Sequence, residues 1–315
     1  MSLAHMEKLI ERLKQKLLLL DESDSKNETL RCELMQLITD AHQEIYGRLE
    51  PGDKVYLARH PMRPNAKSYI DALFSDFMEM HGDRLYGDDQ SIVGGVGMFQ
   101  ETPVTIIAQV KGKTVEDNVK HNFGMSNPEG YRKALRLAKQ AEKFGRPIIT
   151  FIDTPGAYPG IGAEERGQGS AIATSLMTFM ELTVPIIAIV IGEGGSGGAL
   201  ALGIADHVMM LEHSIYSVLS PEGFASILWK DSTRAKEAAK LMKLTAQDLL
   251  KFGIIDTVID EPVGGIHTQV DYVMIQLEKV LHKELERLIY QDKELLLQQR
   301  YQKFRNMAMP NSIDV

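Results

Sequence analysis

The chain has 315 residues, 44% of them hydrophobic, enough for one large domain or two modest ones with a packed core. Its formal net charge is −8 with the basic residues scattered, which argues against nucleic acid or an anionic membrane as the main partner. A single cysteine, Cys32, excludes an intrachain disulfide and a multi-cysteine zinc site and fits a reducing compartment. No apolar run reaches the roughly 18 residues a membrane span needs and no signal-like stretch opens at Met1, so a cytoplasmic chain is expected.

Met6, Ile10, Leu13, Leu17 and Leu20 recur at helical spacing, as do Leu30, Leu34, Leu37, Ala41 and Ile45, which predicts two amphipathic helices joined as a hairpin across Asp21 to Asn27. So narrow an apolar seam suits packing or association rather than chemistry. A third helix is expected over Tyr69 to Met80. From Ile92 onward short apolar runs take over: Ile92 to Phe99, Val104 to Val110, Pro147 to Ile152, Val184 to Ile191, His207 to Leu211 and Ile254 to Ile259 read as strands. Helical segments over Glu129 to Phe144 and Gly162 to Met180 alternate with them, so the class is α/β. Ser126-Asn127-Pro128-Glu129 reads as a capping box, with Ala134, Leu137, Ala138, Ala141 and Phe144 on one face and Gly145 just past the end. The other face offers Arg132, Lys133, Arg136 and Lys139 either to phosphates or to solvent. Past Gly265, Val273, Leu277, Val280 or Leu281, Leu285 and Leu288 predict a long helix to about Gln298. The expected organisation is a helical hairpin arm over 6–50, a central domain over 55–265 and a C-terminal helical extension over 266–305.

Two glycine-rich turns leave two successive strands on the same pattern. One is Asp153-Thr154-Pro155-Gly156-Ala157-Tyr158-Pro159-Gly160, and the other is Gly192-Glu193-Gly194-Gly195-Ser196-Gly197-Gly198. In a parallel sheet both emerge at the carboxyl ends of strands, where α/β proteins place their ligands. Three readings of the second turn stand side by side. Gly192-x-Gly194-x-x-Gly197 matches a dinucleotide fingerprint with Glu212 as the ribose acid, although Glu193 would set a negative charge beside the pyrophosphate. Gly194-x-Ser196-x-Gly198 matches a nucleophile elbow, with Asp256 or Asp260 and then His267 in chain order for a hydrolase triad. The third reading uses only the backbone: Gly197 and Gly198 at a helix start present N–H groups to an oxygen that becomes negative. Glu164, Glu165 and Glu193 are candidate bases, although carboxylates at helix starts commonly offset the dipole.

Both turns, with Ala163-Glu164-Glu165-Arg166-Gly167-Gln168, Tyr216 to Gly223 and Ser226 to Lys230, closely resemble the carboxyltransferase α-subunit family of bacterial acetyl-CoA carboxylases. Asn122 to Met125, Pro128 to Leu137 and Glu261 to His267 extend the likeness, which spans about Leu57 to His267. Departures at Gln100-Glu101-Thr102, Gly169-Ser170 and Ile266 fall at turns or loop edges. The resemblance implies a crotonase-like fold, a spiral of ββα units with flanking helical arms. It implies an α2β2 assembly with a β subunit bearing a four-cysteine zinc module, which this chain cannot supply. Within an ATP-dependent holoenzyme, the family moves a carboxyl group from carboxybiotin on a biotin carrier protein to acetyl-CoA, giving malonyl-CoA for fatty-acid synthesis. Gly197 and Gly198 would then hold the biotin ureido oxygen, with Gly194, Gly195, Ser196, Thr154, Pro155, Gly156, Ala157 and Tyr158 lining the site. Arg132, Lys133 and Arg136 are candidates for the CoA phosphates. Because the released ureido anion can take the acetyl α-proton, neither a metal nor a side-chain base is needed in this chain. A serine hydrolase built on Ser196, and a crotonase-like scaffold that only assembles partners, are the rival expectations.

Overall fold

A computed structural model describes residues 3–20 and 27–307. In chain order the elements are α1 (Leu3–Leu18), α2 (Glu28–Tyr46), α3 (Pro51–Ala58), α4 (Ala66–Leu73), β1 (Ser75–Glu79), β2 (Ile92–Phe99), β3 (Thr102–Gln109), α5 (Val115–Lys120), α6 (Pro128–Lys143), β4 (Ile148–Thr154), α7 (Ile161–Glu165) and α8 (Gln168–Glu181). Then follow β5 (Ile186–Gly195), α9 (Ser196–Gly203), β6 (His207–Leu211), β7 (Ile215–Ser217), α10 (Pro221–Trp229), α11 (Ala235–Met242), α12 (Ala246–Lys251), β8 (Thr257–Ile259), α13 (Val270–Ile289) and α14 (Lys293–Asn306).

The strands form one sheet in the order β1-β2-β3-β4-β5-β6-β8, antiparallel over β1 to β3 and parallel from β3 onward. Strand β5 is shared: Ile187 to Val190 pair with β6, whereas Glu193 to Gly195 pair with β7. This fork leaves the end of β5 between two sheet directions. Alternate residues serve the two faces, as the pleat requires. Ile149 and Phe151 pack toward α4 and α13, while Ile148 and Ile152 pack toward α6 and α8. Strands buried on both sides read as continuous apolar runs, which is why β4 and β5 stand out in the sequence.

Several expectations are corrected. The helix expected over Tyr69 to Met80 ends at Leu73, and β1 follows, pairing with β2. Glycine makes that pairing possible, since a Cβ on Gly95 would lie 2.1 Å from Met78 O. The capping box does not form: Asn127 is the N-cap without a side-chain bond, the Ser126 hydroxyl accepts from Ser91, and Glu129 pairs with Arg166. Of the apolar face of α6, Ala134, Leu137, Ala138 and Ala141 are buried, whereas Phe144 is exposed with the Arg146 guanidinium over its ring. The helix expected over Gly162 to Met180 is split at Gly167, whose φ of +82° breaks the helical path. The last strand begins at Thr257, and β7 was not foreseen. The C-terminal helix breaks after Ile289 and restarts where Asp292 caps α14. The hairpin joint over 21–26 lies outside the described residues. Of the two seams Ile10 is buried but Leu30 and Leu37 are exposed. The arm is held instead by the Glu7 carboxylate, which accepts from the Tyr46 and Tyr56 hydroxyls at 2.6 and 2.7 Å. Among the described residues no helix is long and apolar enough to cross a membrane.

Helix α14 docks through one fully buried cation. Arg300 donates to the carbonyls of Phe179, Leu182 and Val184 and bidentately to Asp206. Lysine keeps the charge but not the planar fork. Arg300→Lys is therefore expected to destabilise the protein by roughly 2 kcal/mol in denaturant melts, the scale of charge-assisted bonds lost from a buried site. An unchanged midpoint would mean that the fork contributes nothing.

Candidate active site

The two glycine-rich turns lie against each other. Thr154 pairs with Gly194 across the parallel strands, and the Thr154 hydroxyl donates to Gly156 O at 2.8 Å, curling the first turn over the second. Contact is backbone to backbone: a Cβ on Gly195 would stand 2.2 Å from Pro155 O, and one on Gly198 would stand 2.7 Å from Ala157 N. No side chain fits at either position. Ser196 joins strand to helix with φ +51°, a left-handed conformation that non-glycine residues rarely adopt and that concentrates at functional turns.

Helix α9 starts at that residue. The N–H groups of Gly197 and Gly198 fall in its first turn, where no intrahelical carbonyl is available. Among the described residues no other backbone carbonyl accepts from either. The two glycines differ in surroundings. Gly198 is buried under the 156–157 turn, with Gln109 Nε2 donating to its carbonyl at 2.7 Å, whereas Gly197 lines a cavity of about 720 Å³. Leu200, Tyr216, Val218, Leu219, Phe224 and Phe252 form much of its wall, so the space before the helix start is chiefly apolar.

Beneath the turn runs a chain of alternating charges. Lys111 Nζ lies 2.8 Å from Asp153 and 2.7 Å from Glu193; Arg59 Nε lies 2.6 Å from Glu193, and its Nη1 lies 2.7 Å from Glu222. Burial alone would raise the Glu193 pKa, but Lys111 and Arg59 outweigh it and hold the group below the ordinary glutamate range. Glu193 is thus a fixed anion that anchors the turn, not a base. Glu164 and Glu165 are exposed on α7.

A family model described as acetyl co-enzyme A carboxylase carboxyltransferase-like matches residues 2–308. The chain belongs to that family. It is 56% identical over 307 residues to the acetyl-coenzyme A carboxylase carboxyl transferase subunit alpha of Alkaliphilus oremlandii, covering 96% of this chain and 97% of that one. It is 58% identical over 258 residues to the same-named protein of Clostridium botulinum (strain Eklund 17B / Type B), covering 82% and 94%. Among solved structures, transcarboxylase 12S with methylmalonyl-coenzyme A and methylmalonic acid bound aligns with a TM-score of 0.54 at 22% identity, over 68% of this chain and 41% of that one. A Pseudomonas malonate decarboxylase hetero-tetramer in complex with coenzyme A aligns at 0.56 and 16% identity, over 68% and 86%. Those likenesses are of fold, and the fold is crotonase-like.

Within this carboxyltransferase family the rival readings of the turn lose their supporting residues. Among the described residues Ser196 has no hydrogen-bonded histidine. His267 stacks on His60 with ring centroids 3.8 Å apart, and Asp256 accepts from Val208 N and pairs with Lys303. The serine hydrolase is not supported. Glu212, the ribose acid of the dinucleotide reading, accepts from Glu261 N. The cations of α6 hold a neighbouring segment: Arg132 pairs with Asp83, Arg136 donates to Gly82 O and His81 O, and fully buried Lys133 donates to Asp88 and Asp89 O. Lys133 therefore has no exposed surface to offer a phosphate. Sequence reasoning missed Arg59, Lys111, Glu222 and the apolar wall; isolated cations at element ends carry no local pattern that would have marked them.

Proposed function

We propose that this chain is the α half of an acetyl-CoA carboxylase carboxyltransferase, moving a carboxyl group from carboxybiotin on a biotin carrier protein to acetyl-CoA. The observation that carries the reading is the pair of amides at Gly197 and Gly198, without an acceptor among the described residues, at the start of a helix that borders a largely apolar cavity. These residues fit the group. Amides suit a ureido oxygen that gains negative charge, and the apolar wall suits a hydrocarbon bicycle and its chain. When bound, carboxybiotin supplies both the carboxyl group and the base.

The chain's own contribution is electrostatic and positional. Successive N–H groups at a helix start, with the positive end of the α9 dipole, suit an oxygen that gains negative charge. Lys111 and Arg59 keep the Glu193 carboxylate compensated behind that helix start, so its charge opposes the donors less. The turn over Thr154 to Tyr158 buttresses Gly198 and keeps the first helical turn from shifting. Such pre-set donors need no rearrangement as charge develops.

An α-type subunit implies a β partner. We assign that partner the zinc module and the opposing oxyanion site for the thioester, in an α2β2 assembly. Val218, exposed at the cavity, and Ile227 and Leu228, exposed on α10, suit coverage by it. Co-purification with a candidate β subunit and a mass measurement of the complex test the assembly. The chemistry is tested by Ser196→Ala, which should keep malonyl-CoA decarboxylation within about threefold of wild type, since the hydroxyl is not the nucleophile; one lost donor would give about 100-fold. Abolished turnover with fluorophosphonate labelling of Ser196 in the wild type would replace the reading with a hydrolase.

A further inference from the structure

We infer that Arg59 is a positioning residue that sets the cavity wall formed by α10 against the oxyanion turn. The inference deepens the reading above and rests on it. Arg59 follows α3 directly and reaches in two directions. Its Nε meets Glu193, two residues before Gly195, and its Nη1 and Nη2 meet both oxygens of Glu222 at 2.7 and 3.4 Å. Glu222 lies in the first turn of α10, the helix that contributes Phe224 to the cavity.

Helix α10 packs on α11 and on the turn at Ser232–Arg234, but few of its side chains make directional contacts with the rest of the fold. Of its nine residues only Pro221 and Ala225 are buried, and both are small. Among the described residues, the Arg59–Glu222 contact is the only side-chain hydrogen bond or ion pair from residues 221–229 to another element. The Ser220 cap is local, bonding Gly223 N, and Trp229 meets Arg234 through ring stacking alone. That packing holds α10 to its neighbours α11 and the 232–234 turn, and the directional ionic contact sets the helix against the glycine turn.

The two ends of the link differ. Glu193 is also held by Lys111 and is nearly buried, at 10% side-chain exposure, whereas Glu222 is 46% exposed and, among the described residues, has no side-chain partner but Arg59. The turn is therefore the fixed end and α10 the adjustable one. Loss of the link should move the wall while leaving the amides in place, which changes how a ligand is held more than how fast it reacts once bound.

The test is a double-mutant cycle in the reconstituted α–β complex. Malonyl-CoA decarboxylation is followed as the concentration of a biotin analogue is varied, in wild type, Arg59→Gln, Glu222→Gln and the double variant. Each single change is expected to raise KM for the analogue about tenfold and to lower kcat less than about threefold, with the double variant no worse than Arg59→Gln. Arg59→Lys should recover part of the loss, because one ammonium reaches one carboxylate but does not bridge two. Thermal midpoints of all variants are measured alongside. Multiplying KM effects, or a Glu222→Gln variant indistinguishable from wild type, would overturn the link. A wild-type complex that forms but turns over nothing would sink the proposed function first and the link with it.

Discussion

Gly197→Val is expected to lower kcat for malonyl-CoA decarboxylation by about 100-fold, the scale of one lost oxyanion donor, with the α–β complex still forming. The reason is an asymmetry between neighbouring glycines. A Cβ on Gly197 would meet only the Ile172 methyls, at 3.5 and 3.8 Å, so the fold has room for it. Gly197 lines the cavity, so valine adds bulk beside the amides. Valine also exceeds glycine in helix propensity, so stability should change by less than about 1 kcal/mol. Gly198→Ala should behave in the opposite way. Its Cβ would press on the backbone of Gly156 and Ala157 at 2.8 and 2.7 Å and on the Tyr131 hydroxyl at 2.9 Å. We expect about 3 kcal/mol of destabilisation, read as a lowered unfolding midpoint, along with lost activity. Equal loss of stability in both variants would mean that Gly197 serves packing; full activity in Gly197→Val would remove the amides from the chemistry.

What the sequence disclosed follows from how far apart the interacting residues lie. The parallel strands were legible because Ile186 to Ile191 are covered on both faces and hence continuously apolar. The glycine turns were legible because close backbone approach is written into consecutive residues. Strand β1 was hidden for the converse reason. Ser75 to Glu79 form an exposed edge with no apolar alternation, and what selects the strand is glycine on its neighbour β2. Strand β7, three residues long, is selected by the fork in β5. The ion chain under the turn was hidden most completely. Arg59 and Glu193 are 134 positions apart, and nothing local to Arg59 marks it as the partner of the carboxylate in the turn. The cations of α6 were noticed, but a helical period cannot say whether a charged face meets solvent, a ligand or, as here, the buried Asp83 and Asp89.

Arg63→Met is expected to destabilise the protein by about 3–5 kcal/mol, because it strands a buried carboxylate. Arg63 and Glu261 are almost fully buried, with side-chain exposures of 4% and 0%. The guanidinium donates to both Glu261 oxygens at 2.6 and 3.0 Å, and its Nε donates to Ile191 O at 2.6 Å, one residue before the glycine turn. Glu261 further accepts from His213 N and Ile266 N, so each oxygen already has two donors. Glu261→Gln should therefore cost nearly as much despite its matched shape, since an amide NH2 would face donors. Burial alone would raise the Glu261 pKa, but Arg63 outweighs it and holds the carboxyl below its ordinary range. A depressed carboxyl stabilises the fold above its unfolded pKa and loses that contribution as pH falls. Wild type should lose more stability on acidification than the Arg63→Met/Glu261→Met double variant, which lacks the titrating pair. The double variant should also be more stable than the sum of the single changes predicts, since neither charge is then left alone. Additive losses, or parallel pH profiles, would show that the pair does not act as a unit. A coupled result would mean that Arg63 and Glu261 act as one buried unit, which also tethers β5 at Ile191, one residue before the glycine turn.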